Sequence, residues 1–223
     1  DGIIPRSPCS RRTSPGPSQQ RAYVASTEQI WALYEAMTER LRPAVLLGAF
    51  AGLRVAEACG LRVADVDFMR GVIHPRVQYP AEELKTEVSR TPIPIPLSLA
   101  LPLSAHVARW PGEWILTDVR GTQLGPWALE RAVRTARTRV LGLPQGFRYH
   151  DLRHYFASLL IASGSDVKTV QARVRHASAK TTLDCYGHLW PDRDEYTRAA
   201  VDAVLSARFQ DHAGSMRAEK RPR

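Results

Sequence analysis

Cysteine is scarce in this 223-residue chain: Cys9, Cys59 and Cys185 form an odd set with no CxxC spacing. That excludes a disulfide framework and a cysteine-built zinc site, and fits reduced thiols in a cytosolic protein. No apolar run approaches the roughly 18 residues that cross a bilayer, so no membrane partner is expected. The chain opens on Asp1 with no charged-then-apolar leader, and secretion is not expected either. No internal repeat is visible. Apolar residues nevertheless make up 44% of the chain, enough for one large domain or a domain with extensions.

Positive charge, by contrast, is plentiful. Lys and Arg number 31 against 22 acidic residues, a formal net charge of +9, which favours a polyanionic partner. Much of the excess is terminal. Residues 1–21 carry Arg6, Arg11, Arg12 and Arg21 against Asp1, and residues 207–223 carry Arg208, Arg217, Lys220, Arg221 and Arg223 against Asp211 and Glu219. Basic ends also serve as solubilising tails, so charge alone leaves nucleic-acid binding an even choice.

Pro5, Pro8, Pro15 and Pro17 stand among serines and arginines, the composition of an extended linker over residues 5–20. A compact domain should begin near Ser26, where STEQ supplies a capping box and Ile30, Leu33, Tyr34 and Met37 follow at helical spacing. A second helix from about Pro43 to Ala51 should stop at Gly52. A third should start near Arg54 with Val55, Ala58 and Leu61 inward. The texture then changes: GVIHPRVQ (71–78), RTPIPIPL (90–97) and EWILTD (113–118) read as short strands. Pro92, Pro94 and Pro96 cannot donate to a ladder, so the second of these should lie at a sheet edge. After residue 118 the chain reads as helical to its end, with breaks at Gly142–Gly146, Gly164 and Gly187–Pro191. The helix from Pro126 to about Val140 carries Leu129, Ala132, Val133, Ala136 and Val140 on one stripe. Arg131, Arg134 and Arg137 lie off that stripe, as a solvated face or a DNA contact. The expected class is α+β, mainly α-helical with a small antiparallel three-stranded sheet.

YHDLRHYFASLLIASG (149–164) sets His150 and His154 four apart, hence on one helix face, as a zinc hydrolase presents two imidazoles. Arg153 beside them is a cation that no zinc site wants. Spacing alone leaves a metal site, a phosphate clamp and an ordinary helix start open. Arg54, Lys85, His176 and Tyr186 each have an equally plain reading, as a cap, a loop lysine, a turn residue and core.

Their contexts decide more. AGLRVAEACGLRVADVD, LKTEVSRTPIPIP, HDLRHYFASLL and VRHASAKTTLDCYGH occur in that order, and together they closely resemble the catalytic domain of the tyrosine recombinase (phage integrase) family. The resemblance covers residues 22–192. Residues 1–21 would then be the end of a core-binding domain plus linker, and 193–223 a C-terminal helix and basic tail. Such enzymes cut and rejoin double-stranded DNA at attachment sites through a 3′-phosphotyrosine, with neither ATP nor metal nor other cofactor.

The resemblance implies Tyr186 as nucleophile and Arg54 and Arg153 as the two guanidiniums on the phosphate. It implies an acid/base or hydrogen-bonding role for His150, a phosphate hydrogen bond from His176 and a general acid in Lys85. Glu57 matches an acidic position that orients the cations. The clamp reading thereby displaces the zinc reading, and His154 is left as a structural residue bonded to nearby backbone. Where the family usually has leucine-glycine before the second histidine, this chain has Val174-Arg175, so Arg175 should narrow the turn or add a DNA contact. Cys185 reads as a small buried residue beside the nucleophile. The further expectations are a homotetramer on DNA, a monomer without it, and a C-terminal helix (Ala200, Val201, Val204 and Leu205 inward) docked on a neighbour or on its own domain. Accessory DNA-bending proteins from host or phage, and a place on the bacterial nucleoid, complete the picture. The rivals are a topoisomerase with the same chemistry, a non-enzymatic DNA-binding regulator and, more distantly, a zinc hydrolase.

Overall fold

The computed structural model describes residues 23–190, 197–206 and 208. The expected linker at 5–20, Cys9 and the basic tail beyond 208 lie outside the described residues. By its contacts the chain divides into a unit ending at Gly187 and a second beginning at His188.

The first helix is where its cap puts it. In α1 (Thr27–Ala36), Ser26 Oγ accepts from Gln29 N at 3.2 Å while Gln29 Oε1 accepts from Ser26 N at 3.0 Å, closing the expected box. α2 (Arg42–Ala51) is buried almost all round and ends at Gly52, whose φ of 63° is the left-handed turn that glycine makes without strain. α3 (Val55–Cys59) follows at once. Next come β1 (Val66–Asp67), β2 (Val72–Ile73), β3 (Val77–Gln78), β4 (Glu82–Glu83) and β5 (Ile93–Pro94). The remaining helices of the first unit are α4 (Leu97–Arg109), α5 (Pro126–Arg137), α6 (Tyr149–Ala162), α7 (Val167–Arg173) and α8 (Ala179–Tyr186).

The sheet has the expected size and sense but different members. Its order is β1-β2-β5, antiparallel throughout, with Val66 opposite Ile73 and Ile73 opposite Ile93. The proline-rich segment is an edge, as its missing donors require. The expected strand 71–78 splits, because residues 77–78 leave to form a separate hairpin with β4. Residues 113–118 are not the third strand. They make only single bridges, Arg62 with Trp114 and Thr117 with Gln123, while His106 Nε2 holds the Ile115 carbonyl at 3.0 Å from α4.

α2 and α6 form the spine of the unit. Gly48 permits their close crossing: a Cβ there would stand 2.8 Å from Leu152 Cβ. This contact sets Arg153, the next residue on α6, against the end of α2 from which Arg54 departs. Residues 197–206 form a helix of the second unit, on which Val201, Val204 and Leu205 are exposed. Among the described residues no helix is long and apolar enough to cross a membrane.

Candidate active site

Four short stretches build the site. Gly52 turns the chain left-handed, and Arg54 follows as the extended N-cap of α3. Glu57, one turn on and 2% exposed, accepts from Arg54 twice: from the backbone N at 2.9 Å and from Nη1 at 2.7 Å. Arg54 Nη2 donates to the Arg175 carbonyl at 3.0 Å, which ties α3 to the turn after α7. α6 places Arg153 inward at its second turn, where Nη1 donates to the Gly52 carbonyl and Nη2 is buried with no protein partner.

α8 supplies the tyrosine. Ser178 Oγ caps it by accepting from Thr181 N at 3.2 Å, and Thr182 and Tyr186, four apart, form its buried face. Tyr186 is 1% exposed, and its hydroxyl lies 2.8 Å from His154 Nδ1. The His176 ring stacks on that of Tyr186 at 6.2 Å and 3°, with His176 Nδ1 3.1 Å from Thr182 Oγ1. His150 packs edge-on to His154 at 4.7 Å. Arg54, His150, Arg153, His176 and Tyr186 thus lie in one cluster.

Lys85 does not join them. It is exposed after β4 and has no hydrogen-bond or ion-pair partner among the described residues.

Arg175 corrects the expectation of a DNA contact. Its side chain is 1% exposed and donates to Glu57 Oε2 behind the cluster, so it cannot meet a partner at the surface. The backbone there has φ 50°, the left-handed conformation that closes a helix and that glycine favours. Of the α5 arginines, Arg131 and Arg134 are exposed, Arg134 lying over the Trp127 ring at 5.4 Å. Arg137 is half-buried and spends Nη1 on the Phe147 carbonyl at 2.7 Å, holding the turn into α6.

The electrostatics follow from three guanidiniums around one carboxylate. Burial pushes the Glu57 carboxyl up, but Arg175 and Arg54 outweigh it and leave it below its ordinary value. Burial, then the cations of Arg54 and Arg175, press Arg153 down to about 9, still charged at neutral pH. Burial, then Arg153, lowers His154 to about 4, and His176 falls to about 4 for the same reasons. Burial, then His154 and Arg153, act likewise on His150, although its exposure lets solvent screen part of the effect. Burial raises Tyr186 to about 12 against the pull of Arg153. The resting site therefore holds neutral imidazoles and a protonated phenol over a fixed positive floor. Such a floor suits a phosphodiester. Among the described residues no three His, Cys, Asp or Glu side chains are grouped to hold a metal.

His154 is the residue that sequence reasoning misassigned. It was expected to bond nearby backbone, and its partner is the Tyr186 hydroxyl 32 residues away. The only local signal was its spacing from His150.

Comparisons with known proteins bear on the family and the fold. The pattern described as the phage integrase family matches residues 24–193. The tyrosine recombinase XerC of Pseudomonas syringae pv. tomato is 34% identical over 145 residues, covering 62% of this chain and 44% of the relative. Of solved structures, the XerA recombinase aligns with a TM-score of 0.63 at 21% identity, over 92% of this chain and 67% of that one. The Tn1549 transposon integrase, in complex with circular intermediate DNA, aligns at 0.68 and 18% identity, over 83% and 68%. The two structural likenesses show the fold. The chain spans less than half the length of this XerC.

Proposed function

Because the chain belongs to the phage integrase family of tyrosine recombinases, we propose that residues 22–192 are the catalytic domain of a site-specific DNA recombinase of a phage or mobile element. The observation that carries this is the clustering of Tyr186 with Arg153, Arg54 and the imidazoles.

Tyr186 Oη attacks a phosphodiester of double-stranded DNA. An Oη–P bond forms and the P–O5′ bond breaks, leaving a 3′-phosphotyrosine and a free 5′-hydroxyl. The 5′-hydroxyl of another strand reverses the step, and the bond energy held in the protein–DNA ester makes ATP and metal unnecessary. Negative charge gathers on the non-bridging oxygens, where Arg153 Nη2 and the remaining N–H groups of Arg54 can donate. Removing one such positioned donor typically costs about a hundredfold to a thousandfold in rate. His176, its Nδ1 engaged with Thr182, offers its other nitrogen to the phosphate. Lys85 protonates the leaving O5′, and its exposed place after β4 suits a group that swings in with DNA. Glu57 fixes Arg54 from behind. Arg131 and Arg134 track the duplex, and protomers assemble as a tetramer on it.

The test uses a pool of nicked suicide duplexes with a randomised core. The protein should trap a subset covalently, in the presence of EDTA, and Tyr186→Phe should trap none. Recovery of one sequence class supports site-specific exchange; cleavage without sequence preference indicates DNA relaxation instead. Failure to trap any duplex, or dependence on a divalent ion, overturns the reading.

A further inference from the structure

Arg54 and Glu57 sit one turn apart at the start of α3, so the two bonds between them fix each only to the other. The Arg54 side chain is 37% exposed, a long arm whose aim needs an anchor outside its own helix. One residue provides that anchor twice. The Arg175 carbonyl accepts from Arg54 Nη2 at 3.0 Å, and the buried Arg175 guanidinium donates through Nη2 to Glu57 Oε2, leaving Oε1 to Arg54 Nη1. We propose that Arg175 is a positioning residue, which acts through Glu57 to hold the Arg54 guanidinium in register with His176 and Tyr186 around the reacting phosphate. The proposal rests on the recombinase reading and deepens it.

The place of Arg175 in the chain is what makes the register. It adjoins His176, whose ring stacks on that of Tyr186 at 6.2 Å and whose Nδ1 lies 3.1 Å from Thr182 Oγ1 on α8. The turn that carries both residues is closed by its own backbone, with Arg175 N donating to the Ala172 carbonyl at 3.1 Å and His176 N to the Gln171 carbonyl at 3.1 Å. Whatever holds Arg175 therefore also holds His176, and the tie to Glu57 joins α3 to the segment that leads into the nucleophile's helix. Arg175 Nε and Nη1 are buried without a hydrogen-bond partner among the described residues. Most of its donors thus go unmatched, a poor arrangement if stability were its only role. Burial works against the Glu57 carboxylate, and Arg175 opposes it more strongly than Arg54 does. Arg175 in this way keeps charged the acceptor on which the aim of Arg54 depends.

Glycine at this position keeps the left-handed turn and its carbonyl, so Arg175→Gly removes only the tie to Glu57. Single-turnover cleavage is measured at saturating concentration of a duplex that the unaltered protein has trapped from the random pool. The rate should fall about 10–100-fold, the effect of a misplaced catalytic group, while duplex affinity, set by many phosphates, holds. In an Arg54→Ala background the same change should cost almost nothing more, because the group it positions is gone. In a Lys85→Ala background, where the altered group lies outside the cluster, it should cost its full factor. Arg175→Lys keeps a cation on Glu57 through a single donor and should lose less than glycine. Where melting curves show the glycine variant unfolded, lysine carries the same two comparisons.

An unchanged rate in Arg175→Gly overturns the proposal. A loss confined to affinity makes Arg175 a DNA-binding residue, and an equal loss in the Arg54→Ala and Lys85→Ala backgrounds makes the effect one of folding; either overturns it. A folded lysine variant no faster than a folded glycine variant overturns it too. If the unaltered protein traps no duplex, the recombinase reading fails; if it does and the Arg175 variants match it, only this inference fails.

Discussion

Replacing Arg175 with glycine sets two effects of opposite sign against each other. The side chain is 1% exposed and donates to Glu57, itself 2% exposed. Breaking a buried pair from one side costs about 3–5 kcal/mol when the partner charge is stranded. Glu57 keeps Arg54 Nη1 at 2.7 Å, and the change also removes a cation crowding Arg54 and Arg153, so the lower end, about 3 kcal/mol, applies. Against this, glycine relieves the left-handed backbone at φ 50°, worth about 1 kcal/mol. The net loss for Arg175→Gly is then about 2 kcal/mol, and for Arg175→Ala, which keeps the strain, about 3 kcal/mol. At about 2–4 °C per kcal/mol for a chain of this size, calorimetry should show Tm falling by about 4–8 °C and 6–12 °C respectively. Because Arg175 holds the Glu57 carboxyl below its ordinary 4.5, this stabilisation is present above that pH and is lost as pH falls through the lower folded value. The variants should therefore converge on the parent in acid. A glycine variant as stable as the parent, or an alanine variant at least as stable as glycine, would refute the reasoning.

Gly52→Ala should cost about 2–4 kcal/mol by urea unfolding, since it adds a Cβ 2.5 Å from Phe156 Cδ1 at a φ of 63°; a cost below about 1 kcal/mol contradicts the packing described here. His154 and His176 sit near about 4 in the folded chain against an ordinary 6.5, so the unfolded chain binds protons first as pH falls. Stability should decline from about pH 6.5 towards 4 and decline less steeply in His176→Asn; urea midpoints that rise on acidification contradict this. Lys85→Ala should leave Tm within about 1 °C, as for other exposed side chains, yet slow cleavage by about 100-fold; undiminished cleavage would show that another group protonates the leaving oxygen.

Local signals were the legible ones. The Ser26 box, the Gly52 stop and the edge position of a proline-rich strand each depend on residues within a few positions of one another, and each is present. α4 was hidden because Pro96 caps it and Pro102 lies within it, so its proline content reads as extended chain. The third strand is displaced because two-residue strands show no alternation: Val66–Asp67 pairs where residues 113–118 look the better candidate. In the site, the motif order pointed to Arg54, His150, Arg153, His176 and Tyr186, which lie together, and to Lys85, which stands apart. Arg175 and His154 were misread for one physical reason. Arginine is seldom buried and a lone helix histidine is usually structural, and only partners 118 and 32 residues away reverse those tendencies.

Arg54, Arg153 and Arg175 about Glu57 carry more positive charge than one carboxylate neutralises. That excess attracts any oxyanion, so sulfate or inorganic phosphate in a buffer should tighten the free protein while competing for the same seat as a DNA strand. The choice of buffer salt thus becomes a variable of the chemistry: thermal shift and strand-cleavage assays run in such salts would err in opposite directions.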